Sequence, residues 1–434
     1  MPNQLRTIIL LLSMSGSAFA ASMTLDEAYQ LALAKDAKLA ASQAQLDASK
    51  ELTEQAFAQL LPQVSVSASV KKEQYQLPNN TLSFDENTNN KNLQVTQALY
   101  NRQALYALEQ AGLKVDYSRL RLSGANNELG VRVTQAYLNV LLTQENLLIS
   151  EQQVNATEKR LEQVSAALKV GYSTKVDKLS LQAELDDAKA KLTSDQQQLI
   201  FFRQKLKVFI GQDITSSLPW PKVNAQALVN QFVRSKSWLE EAQNNNIDVQ
   251  LQQKAVEVAQ QEIAIRQSAF YPTVNLGGYY SDASGASYFA QKNDNKAVYI
   301  EVKMPLYQGG YDSSRVRESQ SLLRAAEYDA QYAKRDATQQ AQEQISAANA
   351  SVEKLEALKQ AIESGESYLD SVEEGYRLGI RDITELSRAK EKLYANRRDH
   401  IRASVELLNA LTLLHAVSGQ LDAQAMKQLS QAVW

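Results

Sequence analysis

The sequence predicts a mainly α-helical chain with a β-barrel portion: long antiparallel coiled-coil hairpins plus four membrane-type β-strands, the whole order occurring twice. Three observations predict it. Only 7 Pro and 15 Gly interrupt 434 residues, and the stretches Asn101 to Leu168 and Tyr311 to Leu378, about 68 residues each, contain no Pro. Four short segments alternate apolar and polar residues, the period of a strand with one apolar face. Landmarks also recur about 208 positions apart: Pro62 and Pro272, Ala98-Leu99-Tyr100 and Pro305-Leu306-Tyr307, Gly171 and Gly379, Ile210-Gly211-Gln212 and Ser418-Gly419-Gln420. That period far exceeds the roughly 20–50 residues of a solenoid repeat and indicates a duplicated gene.

Composition removes several classes. The chain has no Cys, so it has neither a disulfide framework nor a thiolate site. A net charge of −3 offers no electrostatic case for nucleic acid. No segment has the ~18 consecutive apolar residues of a membrane helix, which leaves strands as the way into a bilayer. Residues 1–20 read as a secretory signal peptide, with Arg6, the apolar run Thr7 to Leu12 and the A-x-A site Ala18-Phe19-Ala20. Without a following Cys there is no lipid anchor.

The elements follow in order. Residues 21–61 form an N-terminal helix, Met23 to Leu61, capped by Thr24 with Glu27 in box position and stopped by Pro62. Residues 62–100 form the first β-hairpin: Val64, Val66, Ala68 and Val70 on one strand, Leu93, Val95 and Leu99 on the other, about ten residues each. The Asn-rich stretch Gln76 to Asn90 reads as the loop between them. Residues 101–212 form the first coiled-coil helical hairpin, whose outgoing helix would measure ~100 Å at 1.5 Å per residue. Gly171 closes that helix, and Thr174 with Asp177 caps the return. Residues 213–237, with Pro219-Trp220-Pro221, read as an equatorial linker.

The second copy then begins. Residues 238–271 form a helix and 272–307 the second β-hairpin, with Val274, Leu276, Gly278 and Tyr280 on one face of its first strand and Val298, Ile300, Val302, Met304 and Leu306 on one face of its second. A polar loop, Ser281 to Lys296, joins these strands. Residues 308–419 form the second helical hairpin, opened by Gly309-Gly310 and carrying the seven-residue seam Ala348, Leu355, Ile362, Leu369 and Tyr376. Its tip has Gly379 as the left-handed stop, Asp382 as N-cap and Glu385 in box position. Residues 420–434 are a C-terminal tail.

Four strands cannot close a lipid-facing barrel, and an open edge in lipid is forbidden, so copies must associate. Two copies give eight strands, with an interior filled by side chains; three give twelve and room for a lumen. The faces opposite the apolar ones carry Ser65, Ser67, Ser69, Gln94, Thr96, Asn275, Glu301 and Lys303, suited to a wet interior. Tyr75, Phe84, Tyr100, Tyr271, Tyr279, Tyr280, Tyr288, Phe289, Tyr299 and Tyr307 cluster at strand ends, as an interfacial girdle would.

The stretches Val302-Lys303-Met304-Pro305-Leu306-Tyr307-Gln308-Gly309-Gly310 and Gly375-Tyr376-Arg377-Leu378-Gly379-Ile380-Arg381-Asp382-Ile383-Thr384-Glu385-Leu386 resemble the strand-to-helix junction and the hairpin tip of the TolC family of outer-membrane efflux proteins. Leu60-Leu61-Pro62-Gln63, Gln97-Ala98-Leu99-Tyr100 and Ala136-Tyr137-Leu138-Asn139-Val140 are similar too, and the resemblance spans about residues 22 to 425. It implies a homotrimeric β-barrel in a Gram-negative outer membrane, with a helical tunnel reaching into the periplasm. It further implies a periplasmic adaptor (membrane fusion) protein and an inner-membrane pump of RND, ABC or MFS type. In the family, Tyr, Arg and carboxylate links hold the tunnel end shut. By resemblance those links would fall to Tyr376, Arg381 and Glu385, with Asp177 as the acidic residue of the first tip. Three residues past Glu385, where a second acidic ring is often found, this chain has Arg388, which could pair with Glu385. The barrel–tunnel junctions would lie at Pro62, Pro272, Pro305, Gly309 and Gly310. The expected adaptor contacts are Val170, Gly171, Tyr172, Leu378, Gly379 and Ile380, since apolar residues at a hairpin end have no core to fill.

No pattern in the chain calls for enzyme chemistry, a metal or another cofactor. His400 and His415 lack metal-ligand spacing, and Gly309-Gly310 is followed by no Lys-Ser/Thr of a phosphate loop. The reading is therefore a passive export duct, with a membrane-anchored structural or adhesin coiled coil as the alternative.

Overall fold

The computed structural model describes residues 23–76, 83–234, 237–285 and 293–433; the leader, Tyr288 and Phe289 lie outside them. Helices α1 (Leu25–Lys35) and α2 (Ala37–Ala58) lead into strands β1 (Gln63–Gln76) and β2 (Ser83–Tyr100). The hairpin α3 (Arg102–Lys169) and α4 (Lys175–Ile210) follows, then α5 (Ala225–Phe232). The second copy runs α6 (Trp238–Asn245), α7 (Ile247–Gln267), β3 (Thr273–Gly285), β4 (Asn293–Lys303), α8 (Tyr311–Arg377) and α9 (Ile383–Val417), closed by α10 (Ala423–Val433).

Several expectations need correction. The stretch Met23 to Leu61 is two helices, because the Asp36 carboxylate accepts the Leu39 N–H at 2.8 Å and starts a new helix. The stretch Trp238 to Phe270 breaks likewise at Asn246, whose side chain accepts the Val249 N–H at 3.1 Å, and it ends in a 3-10 turn. The break is thus itself duplicated. The linker contains α5, and the tail contains α10. The strands run 14, 18, 13 and 11 residues rather than ten, so residues 83–90, 281–285 and 293–296 are strand, not loop. Met304 and Leu306 lie beyond the end of β4.

The four strands form one antiparallel sheet in the order β1-β2-β3-β4. Its register explains the alternation. Val64 faces Val95, Gly278 and Val298 across the sheet, Val66 faces Leu93 and Tyr280, and Leu276 faces Ile300. That face is therefore apolar from Leu276 and Ile300 to Val66 and Leu93, apart from Gln97 beside Leu276 and Lys296 opposite Tyr280, and it is exposed within the chain, Val298 at 81%. On β1 alone the apolar alternation continues from Val64 to Val70, about 20 Å along the strand, while at the level of Ala68 the neighbouring strands carry Lys91, Asp282 and Asp294. Beyond Val70, β1 and β2 continue as a ribbon in which Lys71 and Lys72 face Thr88 and Asn87. A bulge between Ala98 and Tyr100 drops Leu99 out of the pairing. The opposite face collects Ser65, Gln94 and Tyr279, then Thr96 with Tyr299, then Asn275 with Glu301. Tyr279 and Tyr299 therefore belong to the polar face, with ring centroids 6.5 Å apart, and only Tyr280 of these three joins the apolar face.

The core lies midway down the helices. Leu129, Val133, Tyr137 and Leu141 of α3 pack with Tyr29 of α1, Leu206 and Ile210 of α4, Trp238 of α6, Leu407 and Leu411 of α9, and Met426 of α10. His415 is buried there, its ring centroid 4.8 Å from that of Trp238 and its Nδ1 2.9 Å from the Leu411 carbonyl. Gly211 and Gly419 both take φ near +70° and end the two return helices against the paired breaks at Lys35 and Asn245. From this core the two helical hairpins extend away from the sheet to their tips. No helix among the described residues is long and apolar enough to cross a membrane.

Candidate functional site

The two hairpin tips are built by the same bonds. In the first, the Tyr172 N–H donates to the Ala167 carbonyl at 2.9 Å and the Gly171 N–H to Leu168 at 3.2 Å. In the second, the Ile380 N–H donates to Gly375 at 2.8 Å and the Gly379 N–H to Tyr376 at 3.0 Å. Both are Schellman closures, which require a left-handed residue: φ is +81° at Gly171 and +74° at Gly379. The closures leave four apolar side chains in water. Val170 and Leu378 are exposed, Tyr172 is 89% exposed and Ile380 74%.

The caps that follow differ. At the first tip Thr174 and Asp177 form the full capping box: the Asp177 N–H donates to Thr174 Oγ1 at 3.1 Å, and Asp177 Oδ2 accepts the Thr174 N–H at 2.9 Å and the Ser173 hydroxyl at 3.1 Å. Burial alone would raise the Asp177 pKa; the hydrogen bonds from Thr174 and Ser173 outweigh it and hold the carboxyl below its ordinary range. At the second tip only half of the expected box forms. Asp382 accepts the Glu385 N–H at 2.7 Å, but the Glu385 carboxylate turns away. It takes Arg381 Nη1 at 2.8 and 3.1 Å and the Tyr368 hydroxyl at 3.2 Å. The Arg381 stem lies over Gly375, where an added Cβ would come within 2.6 Å of Arg381 Cγ. The first tip has Ala167 and Ser173 at the corresponding places, so it carries no such arm.

Tyr376 is half-buried against Val164, Leu181, Val372, Ile383 and Leu386, which joins the two hairpins just above the tips. Burial pushes its hydroxyl pKa up, the Asp177 carboxylate adds to this, and the Arg160 guanidinium opposes it. Tyr376 therefore feels both the carboxylate of the first tip and a buried arginine. Arg388 is exposed and makes no ion pair among the described residues, because Arg381 already holds Glu385. The expected pair of Arg388 with Glu385 does not form.

The remaining expected positions sit at the junctions. Pro62 and Pro272 immediately precede β1 and β3. Pro305 lies in the connection from β4 to α8, where Gly309 and Gly310 take φ of +63° and +87° and Gly310 is the N-cap of α8. Leu306 and Tyr307 are exposed there. Spacing did not single out Arg160, Glu184, Ser387 and Tyr394, which meet between the hairpins. They stand on four turns of three different helices, with no shared sequence pattern.

The model for the family described as outer membrane efflux protein matches residues 28–212 and 238–420, that is, both copies. The outer membrane protein TolC of Vibrio cholerae serotype O1 is 26% identical, over 92% of this chain and 91% of its own length. The proteases secretion protein PrtF of Dickeya chrysanthemi is 24% identical over 98% and 94%. Among solved structures, the outer membrane protein VceC of Vibrio cholerae superposes with a TM-score of 0.77 at 17% identity, covering 92% of this chain and 97% of that one.

Proposed function

The chain belongs to the outer membrane efflux protein family, and we propose that its tips are both the gate and the docking end of an exit duct. The chain is an outer-membrane exit duct for efflux and type I secretion, standing in the Gram-negative outer membrane with a periplasmic helical extension. The observation that carries this reading is the continuity of one sheet, apolar on one face and polar on the other, with two helices of about 68 residues. The apolar face suits lipid. The polar face, with Ser65, Gln94, Thr96 and Glu301, suits a wet lumen. The free edges of β1 and β4 need partners in lipid, and β4 can pair antiparallel with β1 of the next copy. Three copies make a twelve-stranded barrel wide enough for a lumen, and the helices below continue it.

The exposed Val170, Tyr172, Leu378 and Ile380 meet a periplasmic adaptor protein, through which an inner-membrane pump of RND, ABC or MFS type supplies the energy. Tyr376, Arg381, Glu385 and Asp177 hold the end shut, and the exposed Arg388 adds positive charge where the family often has a second carboxylate. The chain itself has no catalytic step. Purified oligomers in a planar bilayer should conduct ions in discrete steps, and photo-crosslinkers at Tyr172 and Ile380 should capture the adaptor in cells. A non-conducting, membrane-anchored oligomer would instead favour a structural coiled coil.

A further inference from the structure

We propose that Gly277 is the bed that keeps Tyr299 lying against the barrel wall, and that this pair sets the clear width of the duct at the level of the apolar band. The proposal rests on the reading of the polar sheet face as the wall of a wet lumen. Strand β3 carries two adjacent glycines in its middle, Gly277 and Gly278. A glycine inside a strand weakens it, and it often marks a place where another group comes close. Alternation puts these two on opposite faces of the sheet. Gly277 lies between Thr96 of β2 and Tyr299 of β4 on the polar face, and Gly278 between Val95 and Val298 on the apolar one.

Only one of the two has a close neighbour. A Cβ added at Gly277 would come 2.3 Å from Tyr299 Cζ, 2.6 Å from its hydroxyl oxygen and 2.7 Å from Cε1. At Gly278 it would meet the Ala297 carbonyl oxygen at 3.6 Å and Val298 Cγ2 at 3.8 Å, which are ordinary contacts. Neither glycine has a positive φ, so the backbone does not explain Gly277, whereas the ring does. Side chains in a strand stand roughly perpendicular to the sheet. Tyr299 instead lies down over the neighbouring strand, so that the far end of its ring covers Gly277 and buries it. Tyr279 leans towards the same ring, with centroids 6.5 Å apart and planes at 55°.

In three copies, three Tyr299 and three Tyr279 form one belt around the lumen. A ring lying flat takes a thin slice of the bore, and an upright one projects nearly its whole length towards the axis. Any side chain at position 277 would occupy the place of the ring, and perpendicular to the sheet is the ordinary alternative. The atoms displaced are the free end of one side chain, so the strands keep their register and the change is confined to the bore. Gly277 thus acts through Tyr299 on the largest cargo the barrel passes, and Tyr299 is the residue that meets that cargo.

The chain has no Cys, so single thiols can report the bore. Ser67 lies on the polar face outward of the belt, and Asn275 on the same face between the belt and the helices. Cells carrying Ser67→Cys or Asn275→Cys are treated from outside with maleimides bearing polymers of increasing size. Small reagents should label both thiols, and Asn275→Cys should stop reacting above a cut-off size. Adding Gly277→Val should lower that cut-off and slow the labelling of Asn275→Cys several-fold for reagents just below it, while Ser67→Cys reacts as before. Gly277→Ala brings the same Cβ and should act in the same direction, which decides the matter if the valine variant does not assemble. Gly278→Val, on the apolar face, should change neither thiol. Gly277→Val combined with Tyr299→Ala should return the cut-off to the parent size or above, which separates a lifted ring from a distorted sheet. An unchanged cut-off in both Gly277 variants, or a double variant as narrow as the single, would overturn the proposal. Failure of the smallest reagents to reach Asn275→Cys at all would instead overturn the reading of this face as a lumen wall, and the proposal with it.

Discussion

Asp177 shows how much one side chain does at the first tip. Its carboxylate closes the capping box with Thr174, accepts the Ser173 hydroxyl and raises the pKa of Tyr376 in the other hairpin. Its own folded pKa is depressed, so it contributes stability above its unfolded value, about 3.9, and that stability is lost as pH falls through the folded value. An NMR titration should place its midpoint below about 3.9, and Thr174→Ala should bring it back towards that value. At the second tip Glu385 holds the place of Asp177, and it is bound by Arg381. Arg381→Ala removes both the bonds from its Nη1 to the Glu385 carboxylate and the stem over Gly375. The exposed pair alone is worth at most about 1 kcal/mol, so a large rise in closed-state conductance in a bilayer would mean that symmetry copies act together. No rise would remove Arg381 from the gate. The capping residues were legible in the sequence because caps are local, three residues apart. That Glu385 leaves its box for Arg381 was not, since two local partners compete and the fold decides.

At the scale of elements, the closures at Gly171 and Gly379 present apolar side chains to water and admit no β-branched residue at their left-handed φ. Gly379→Val should cost about 1–3 kcal/mol at that tip, abolishing export while native gels still show the oligomer. Loss of the oligomer instead would assign the glycine to assembly. The sheet offers a second test. Ile300 lies in the middle of the apolar face between Val298 and Val302, and Ile300→Lys should cost about 2–4 kcal/mol if that face meets lipid at mid-depth. Heat-modified gel mobility would fall accordingly, whereas Ser67→Lys on the other face should leave it unchanged. The strands were legible where apolar and polar residues alternate. Their outer extensions were not, because a polar ribbon such as Lys71 and Lys72 against Thr88 and Asn87 is held by backbone bonds that leave no side-chain pattern.

For the molecule as a whole, duplication supplies the plan and divergence the function. Both copies keep the helix break, the left-handed glycine at the end of the return helix, the Schellman tip and one interhelical ion pair at the same level. They differ at the tips and between the helices: the second tip alone carries the Arg381–Glu385 arm, the second hairpin has Lys390–Glu373 and Lys354–Glu406, and the first has Arg160–Glu184.

The sequence by itself determined the repeat, by landmarks about 208 positions apart, and the long helices, the apolar strand faces and the tips, since each of these three depends on residues within a few turns of one another. Only the tertiary structure decided which strands share a sheet, that Tyr279 and Tyr299 face away from the apolar side, that Arg388 stays unpaired, and that Arg160, Glu184 and Ser387 meet. Those outcomes join residues more than twenty positions apart, or let two partners compete for one. Packing decides such contacts, and no local spacing encodes them.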